Sequence, residues 1–320
     1  MKRLTLHLIL LSSIFSQVEY NHPELIWYTF ETEHFKIHFH DETESTAREA
    51  ATVAEIIYPK ITSFYGFEPH QKTHLVLLDP DDYSNGAAYY YDNKMMIWAS
   101  PLDFELRGSH RWLQNVITHE FAHIVSLQKA MKAGTSIPGA YFQFMNYEEE
   151  KRPDVLYGYP NTLVSYPLPG TVVPPWLAEG TAQYMYDDAD WDNWDSHRDM
   201  ILRDRVINDN LLSFTEMNTF GKKGIGNEST YNSGFALATY IANEYGSDAL
   251  SKVMEELSSR LQFSINKAIL NVTGTSGREI YQDFKTAIEA KYNTLVDPIR
   301  VMPVQGEKLQ IEGTTNIHPK

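Results

Sequence analysis

The chain is predicted to fold as an α+β protein, and three observations carry that reading. Short alternating or wholly apolar runs, rich in aromatic and β-branched residues, are confined to the stretch from Pro23 to Ser100 and read as strands. Within that stretch the period of a long helix, Glu44 to Tyr65, puts Ala51, Ala54 and Ile57-Tyr58 on one side and stops at Gly66. Beyond Ser109 the apolar spacing is mainly helical. With 320 residues, 42% of them apolar, the chain can bury one large core or two subdomains around a cleft.

Residues 1–17 read as an export signal. Lys2 and Arg3 make a positive start, Leu4 to Ile14 a short apolar core, and Ser16 a small residue at the cleavage point, so the mature chain begins near Gln17. The apolar run falls below the roughly 20 residues of a spanning helix, which leaves a membrane anchor or a buried first helix as the weaker readings. The chain has no Cys, which excludes a lipidated N-terminus, disulfides, zinc–thiolate sites and a thiol nucleophile. Any metal must be held by His, Asp or Glu. A formal charge of −15 argues against a nucleic-acid surface.

Ile26 to Glu31 and Phe35 to His40 form two strands broken by the turn at Glu33-His34. Thr73 to Leu78 is a buried strand that stops at Asp79-Pro80. Lys94 to Trp98, after the turn-like Asp92-Asn93, is expected to be an edge strand on which an extended peptide pairs. Together these make a twisted sheet with a helix packed on it. His34, His38 and His40 lie close together, and His38 shares a strand face with His40. With no acidic partner at matching spacing, a polar, half-exposed strand face is the plainer reading than a second metal site. His70, His74, His110 and His197 read as surface or core-satisfied.

A buried helix follows, from Gly108-Ser109 to about Gln128, with Leu113, Val116, Ile117, Phe121 and Ile124 as its apolar stripe. It carries His119-Glu120-Phe121-Ala122-His123. Two histidines four apart are turned by about 400°, so both imidazoles project from one face and can bind one metal. Glu120, about 100° round, stands beside them where a carboxylate can take a proton from an activated water. Buried groups of this kind are costly unless paired or metal-bound. The third ligand is expected at Glu179, at the start of a helix after Pro174-Pro175. Two imidazoles and one carboxylate leave a fourth position open, as in catalytic zinc sites.

Ser196 to Ile207 reads as a helix, and Ser213 to Glu216 has the form of a capping box. Helices are expected at Phe235–Tyr245, Asp248–Leu257, Ser264–Leu270 and Arg278–Tyr292. Arg198 and Arg203 read as exposed helix charges, with contact to a ligand carboxylate as the alternative. The acidic, aromatic run Asp187 to Asp195 is a solvated loop or, less simply, a calcium site. Ala133 to Val173, rich in Pro, Gly and Tyr, is long and largely aperiodic, as insertions beside a cleft often are. The resulting division is an α/β subdomain over 18–108, a helical subdomain over 109–296, and a linker or tail over 297–320.

The HExxH helix followed by Trp176-Leu177-Ala178-Glu179-Gly180 resembles the gluzincin metallopeptidases, whose pattern is HExxH and then W-x-x-E-G. Tyr231-Asn232-Ser233-Gly234, running into Tyr240-Ile241 and Glu244-Tyr245-Gly246, is similar to the Y-x-x-G helix start of the aminopeptidase N-like branch. The layout most closely resembles the bacterial peptidase MA-like domain, an exported domain often followed by a TolB-like β-propeller. This resemblance spans roughly residues 25–295 and implies a zincin-like fold, in which a mixed sheet packs on the HExxH helix and a cleft separates it from a helical C-terminal subdomain. It implies zinc on His119, His123 and Glu179, catalysis by Glu120, and a hydrogen bond from Tyr231 to the tetrahedral intermediate. Its substrates are peptides or proteins. A C-terminal β-propeller is the implied partner domain.

Two features depart from the pattern. Glu179 follows His123 by 56 residues, a longer step than in compact gluzincins. The G-x-M-E-N stretch that holds a free amine in the aminopeptidases has Asn85-Gly86-Ala87-Ala88-Tyr89 as its nearest counterpart, with no acid. The expectation is therefore an endopeptidase, against the alternative of a catalytically silent binding or scaffold module of a cell-envelope protein.

Overall fold

Alternation of fully buried and half-exposed side chains along three short segments sets one face of a sheet against helices. In the computed structural model, residues 22–80, 84–101, 111–134, 140–147, 160–168, 170–188, 196–220, 228–302 and 306 are described, with the backbone alone at 140–147, 160–168, 186–188 and 196–197. Strands β1 (Trp27–Glu31), β2 (Phe35–His40), β3 (Thr73–Leu78), β4 (Gly86–Tyr89) and β5 (Lys94–Trp98) form a mixed sheet in the order β1-β2-β3-β5-β4. The β2–β3 and β3–β5 pairs are parallel; the two outer pairs are antiparallel. Phe35, Ile37, Leu75, Leu77, Met95 and Ile97 point from one face of the sheet and are fully buried, as the two-residue period of a half-buried sheet requires.

Lys94–Trp98 is thus an interior strand, paired with β3 on one side and β4 on the other, and not the expected edge. The edge beside the motif helix is β4. Its Gly-Ala-Ala-Tyr sequence has little β-propensity. It is held as a strand by its ladder to β5 and by its packing on the helix described next.

Helix α1 (Glu44–Tyr65) buries Ala47, Ala50, Ala54, Ile57, Ile61 and Tyr65, and stops where Gly66 takes a φ of +59°. Helix α2 (Trp112–Lys129) lies between α1 and the β4–β5 end of the sheet and is buried without a break from Asn115 to Ser126. Gln128 Nε2 donates to Tyr90 O at 2.8 Å and to Asn93 Oδ1 at 3.1 Å, which ties the β4–β5 turn to the end of α2. Asn93 itself sits at a φ of +50°, where Asn is among the better tolerated side chains.

The connection after α2 holds an antiparallel hairpin, β6 (Ala140–Tyr147) and β7 (Pro160–Leu168), in place of the aperiodic insertion read from the sequence. It is a separate two-stranded sheet. Its base is closed by Lys132 N donating to Gly170 O at 3.1 Å. Helices α3 (Pro175–Asp188), α4 (Ser196–Ile207), α5 (Glu228–Tyr245), α6 (Asp248–Ser258), α7 (Ile265–Thr273) and α8 (Gly277–Arg300) complete the chain. The Ser213 capping box is present: Ser213 N donates to Glu216 Oε2 at 2.8 Å and Glu216 N to Ser213 Oγ at 3.2 Å. The expected division at 296/297 falls inside α8, which continues through Pro298 to Arg300.

One apolar cluster runs from Phe35 to Tyr292, so the sheet and the helices share a core. Lys132 Nζ donates to Leu257 O, Ser259 O and Gln262 O at 2.7, 2.6 and 2.6 Å, placing a cation at the C-terminal end of α6. Among the described residues no helix is long and apolar enough to cross a membrane. The expected signal segment, the acidic run 189–195 and the tail at 303–305 and 307–320 lie outside the described residues.

Candidate metal centre

The centre is built where α2, α3 and α5 meet. Helix α2 presents His119 and His123 from one face through their i, i+4 spacing. Helix α3 opens with Pro175 in its first turn, where a missing N–H costs nothing, and with the fully buried Trp176. That anchor brings Glu179 to α2. His119 Nε2 lies 2.9 Å and His123 Nε2 3.1 Å from Glu179 Oε2, and the two imidazole nitrogens are 3.0 Å apart. All three residues are buried, and together they can hold a metal ion.

The donor set suits a cation. Three lone-pair atoms meet in a near-equilateral triangle whose edges approach the spacing of neighbouring ligands around a metal bound at about 2.0–2.2 Å. Without a cation, protons must hold this cluster together. Burial works to raise the Glu179 carboxyl, but His123 and His119 outweigh it and hold the group well below the ordinary carboxylate range. Burial works to lower His123, and the charge of Glu179 outweighs it, so this imidazole is pushed upward. Among the described residues no second cluster of three His, Asp or Glu ligands occurs.

Glu120 lies on α2 beside the triangle and is 7% exposed. Burial raises its carboxyl to about 7; the positive charge of His123 opposes this, Glu179 adds to it, and the Ala88 N–H donated to the carboxylate opposes it again. The side chain therefore lies against the edge strand. The strand comes this close because residue 86 has no side chain: a Cβ there would stand 2.4 Å from Val116 Cγ2 and 2.7 Å from Glu120 Oε1.

Tyr231, in the first turn of α5, lies with its ring 6.0 Å from that of His119 at an interplanar angle of 19°, with Phe220 on it at 6.1 Å. All five residues expected at the site are thus in one place. Two glycines set α3 against α5. A Cβ on Gly180 would lie 2.3 Å from Gly234 O, and one on Gly234 would lie 2.4 Å from Trp176 O. These helices touch backbone to backbone, one residue from Glu179 and three from Tyr231.

The other histidines are structural or paired. His34 N donates to Glu55 Oε1 at 2.9 Å, and its Nδ1 lies 2.6 Å from Glu55 Oε2. His38 does not pair with His40; its Nε2 lies 2.8 Å from His74 Nδ1 on the neighbouring parallel strand, and Thr29 Oγ1 is 2.9 Å from its Nδ1. His40 is fully buried, its ring edge-on to Trp27, and neither ring nitrogen has a hydrogen-bond partner among the described residues, unlike the half-exposed face expected. Arg198 is buried and not an exposed helix charge, whereas Arg203 Nη1 pairs with Asp199 Oδ2 at 2.9 Å. His110 and the side chain of His197 lie outside the described residues.

Sequence reasoning missed the Ala88 amide and the roles of Gly86, Gly180 and Gly234. A backbone N–H leaves no side-chain signature. The last two glycines stood inside the motifs, but a glycine in a helix shows its purpose only when the partner helix is placed against it. Comparison with family models produced no match, and comparison with curated proteins produced none.

Proposed function

We propose that the chain is an exported zinc-dependent metallopeptidase of zincin-like fold that cleaves internal bonds of peptide or protein substrates. The observation that carries this reading is the convergence of His119 Nε2, His123 Nε2 and Glu179 Oε2 to within 2.9–3.1 Å of one another, with the buried Glu120 carboxyl beside them. Two neutral imidazoles and one carboxylate are the donor set of catalytic zinc, with a position left for water or substrate. Zinc supplies Lewis acidity there, polarising the scissile carbonyl and bringing the pKa of water towards neutrality.

The protein's own groups do the rest. Glu120 accepts a proton from the attacking water and returns it to the leaving amine nitrogen. The Ala88 N–H faces that carboxylate and favours its charged form. Tyr231 donates its O–H to the oxygen on which charge develops as the carbonyl carbon becomes tetrahedral. An extended substrate pairs along β4, whose outer edge has no strand partner among the described residues. The residues of β4 are Gly, Ala, Ala and Tyr, so this strand offers no carboxylate to a free N-terminal amine. This favours endopeptidase over aminopeptidase action. Export rests on the basic, then apolar, N-terminal sequence.

The test compares wild type with Glu120→Gln, each loaded with zinc, against a broad peptide library. Both are expected to retain one zinc, and the variant to lose cleavage by about 10³-fold. Undiminished cleavage by the variant rules out Glu120 as the base. A zinc-loaded wild type that cleaves no member of the library turns the reading towards a silent scaffold.

A further inference from the structure

Away from the metal centre, helices α3, α4, α5 and α8 enclose a cavity of about 430 Å³. None of the three metal ligands, Glu120 or Tyr231 lines it. Its walls are aromatic, formed by Tyr184 of α3, Phe235 and Tyr240 of α5, and Phe284 and Tyr292 of α8, with Leu202 of α4 packed among them. Polar groups are few. Thr239 lines the cavity with a buried hydroxyl that has no hydrogen-bond partner among the described residues, an arrangement proteins seldom leave without a ligand or water. Asn243, Lys291 and the three tyrosines supply the other polar groups.

Lys291 supplies the charge. Its side chain is 60% exposed, its Nζ lies 5.0 Å from the Tyr292 ring centroid, and its nearest carboxylate oxygen, Asp199 Oδ1, is 3.9 Å away. That carboxylate already accepts a hydrogen bond from Tyr292 Oη at 2.8 Å and pairs with Arg203 at 2.9 Å. The ammonium therefore stands at an aromatic cavity, in a long ion pair with a carboxylate that Arg203 and Tyr292 also engage. The volume lies within the range of small-molecule sites, roughly 300–1,000 Å³, and the lining has their usual make-up of apolar walls with a few placed polar groups.

We propose that this cavity binds one amphipathic carboxylate, its alkyl or aryl body within the aromatic walls and its carboxylate head on Lys291 and the Asn243 amide. A neutral or cationic amphiphile would cover the ammonium without supplying a counter-charge, which disfavours it. The site is separate from the hydrolysis proposed above, and its test reads binding alone.

The full chain is titrated calorimetrically with decanoate and, as the neutral counterpart, decanol. Two variants accompany it. Lys291→Gln removes the charge and keeps a polar group. Ala287→Trp places a large side chain at an exposed lining position, where the fold is not put at risk. Wild type is expected to bind decanoate saturably at one site. Lys291→Gln should weaken decanoate roughly tenfold and leave decanol unchanged. Ala287→Trp should abolish saturable binding of both with an unchanged melting temperature. Three results overturn the proposal: no saturable decanoate binding by wild type up to about 1 mM, undiminished binding in Ala287→Trp, or equal weakening of decanoate and decanol in Lys291→Gln.

Discussion

Replacing Gly180 by Ala tests whether the contact of α3 with α5 sets the geometry of the proposed catalytic site. The added Cβ would stand 2.3 Å from Gly234 O and 2.9 Å from Phe235 N, while ordinary contact begins at 3.4 Å. The obstacle is main chain in the middle of a helix, so no side chain can swing aside. The helices must part by about 1 Å, and they carry Glu179 and Tyr231. Overpacking of this kind costs about 1–3 kcal/mol of stability. A displacement of about 1 Å at a reacting centre costs on the order of 10²-fold in rate. The assay is kcat/KM on a cleaved peptide, with zinc content and melting temperature measured on the same preparation. Gly274→Ala is the control: at φ +80° a side chain is strained, but its Cβ would meet nothing within 4 Å. It should lose about 1 kcal/mol of stability and no activity. Wild-type kcat/KM and zinc content in folded Gly180→Ala would refute the reasoning.

Tyr231→Phe should lower kcat about 100-fold while KM and zinc content stay unchanged, the signature of a donor that acts only as charge develops; an equal rise in KM would contradict that role. The His38–His74 pair makes stability fall in mild acid. Burial, together with Lys36 and, for His38, His74 or, for His74, Lys94, holds both imidazoles below their ordinary range, with Glu31 opposing on His74. The unfolded chain takes up these protons at about pH 6.5, so the contribution is complete above that pH and lost as pH falls through the folded values. The melting temperature should drop between pH 7.5 and pH 5, and less so in His74→Gln; parallel profiles for the two proteins would exclude the pair as the cause. Lys132→Met removes a cation that bonds three carbonyls at the end of α6 and should cost about 2 kcal/mol in urea unfolding, against none if solvent replaces it.

Much of the fold was legible because burial imposes a period. Phe35–His40, Thr73–Leu78 and Lys94–Trp98 fall where the alternation or apolar runs put them, and α1 ends at the expected glycine. Strand order was not legible. Lys94–Trp98, expected at an edge, is interior, because its outer neighbour, Gly86–Tyr89, is a strand through pairing and the absence of a side chain at residue 86. The hairpin β6–β7 was hidden by the weight given to Pro and Gly, although Phe142 and Phe144 alternate with Gln143. Of the site, the charged and imidazole groups were visible as letters. The amide that faces Glu120 and the glycines that seat α3 on α5 were not, because they act through main chain.

The central claim is that His119, His123 and Glu179 together hold a zinc ion. X-ray absorption at the zinc edge of the purified full chain reads this directly. One zinc per chain is predicted, with two imidazole nitrogens and at least one carboxylate oxygen at about 2.0–2.2 Å, and the carboxylate contribution lost in Glu179→Ala. A chain that retains no zinc, or a zinc shell without imidazole scattering, would contradict it.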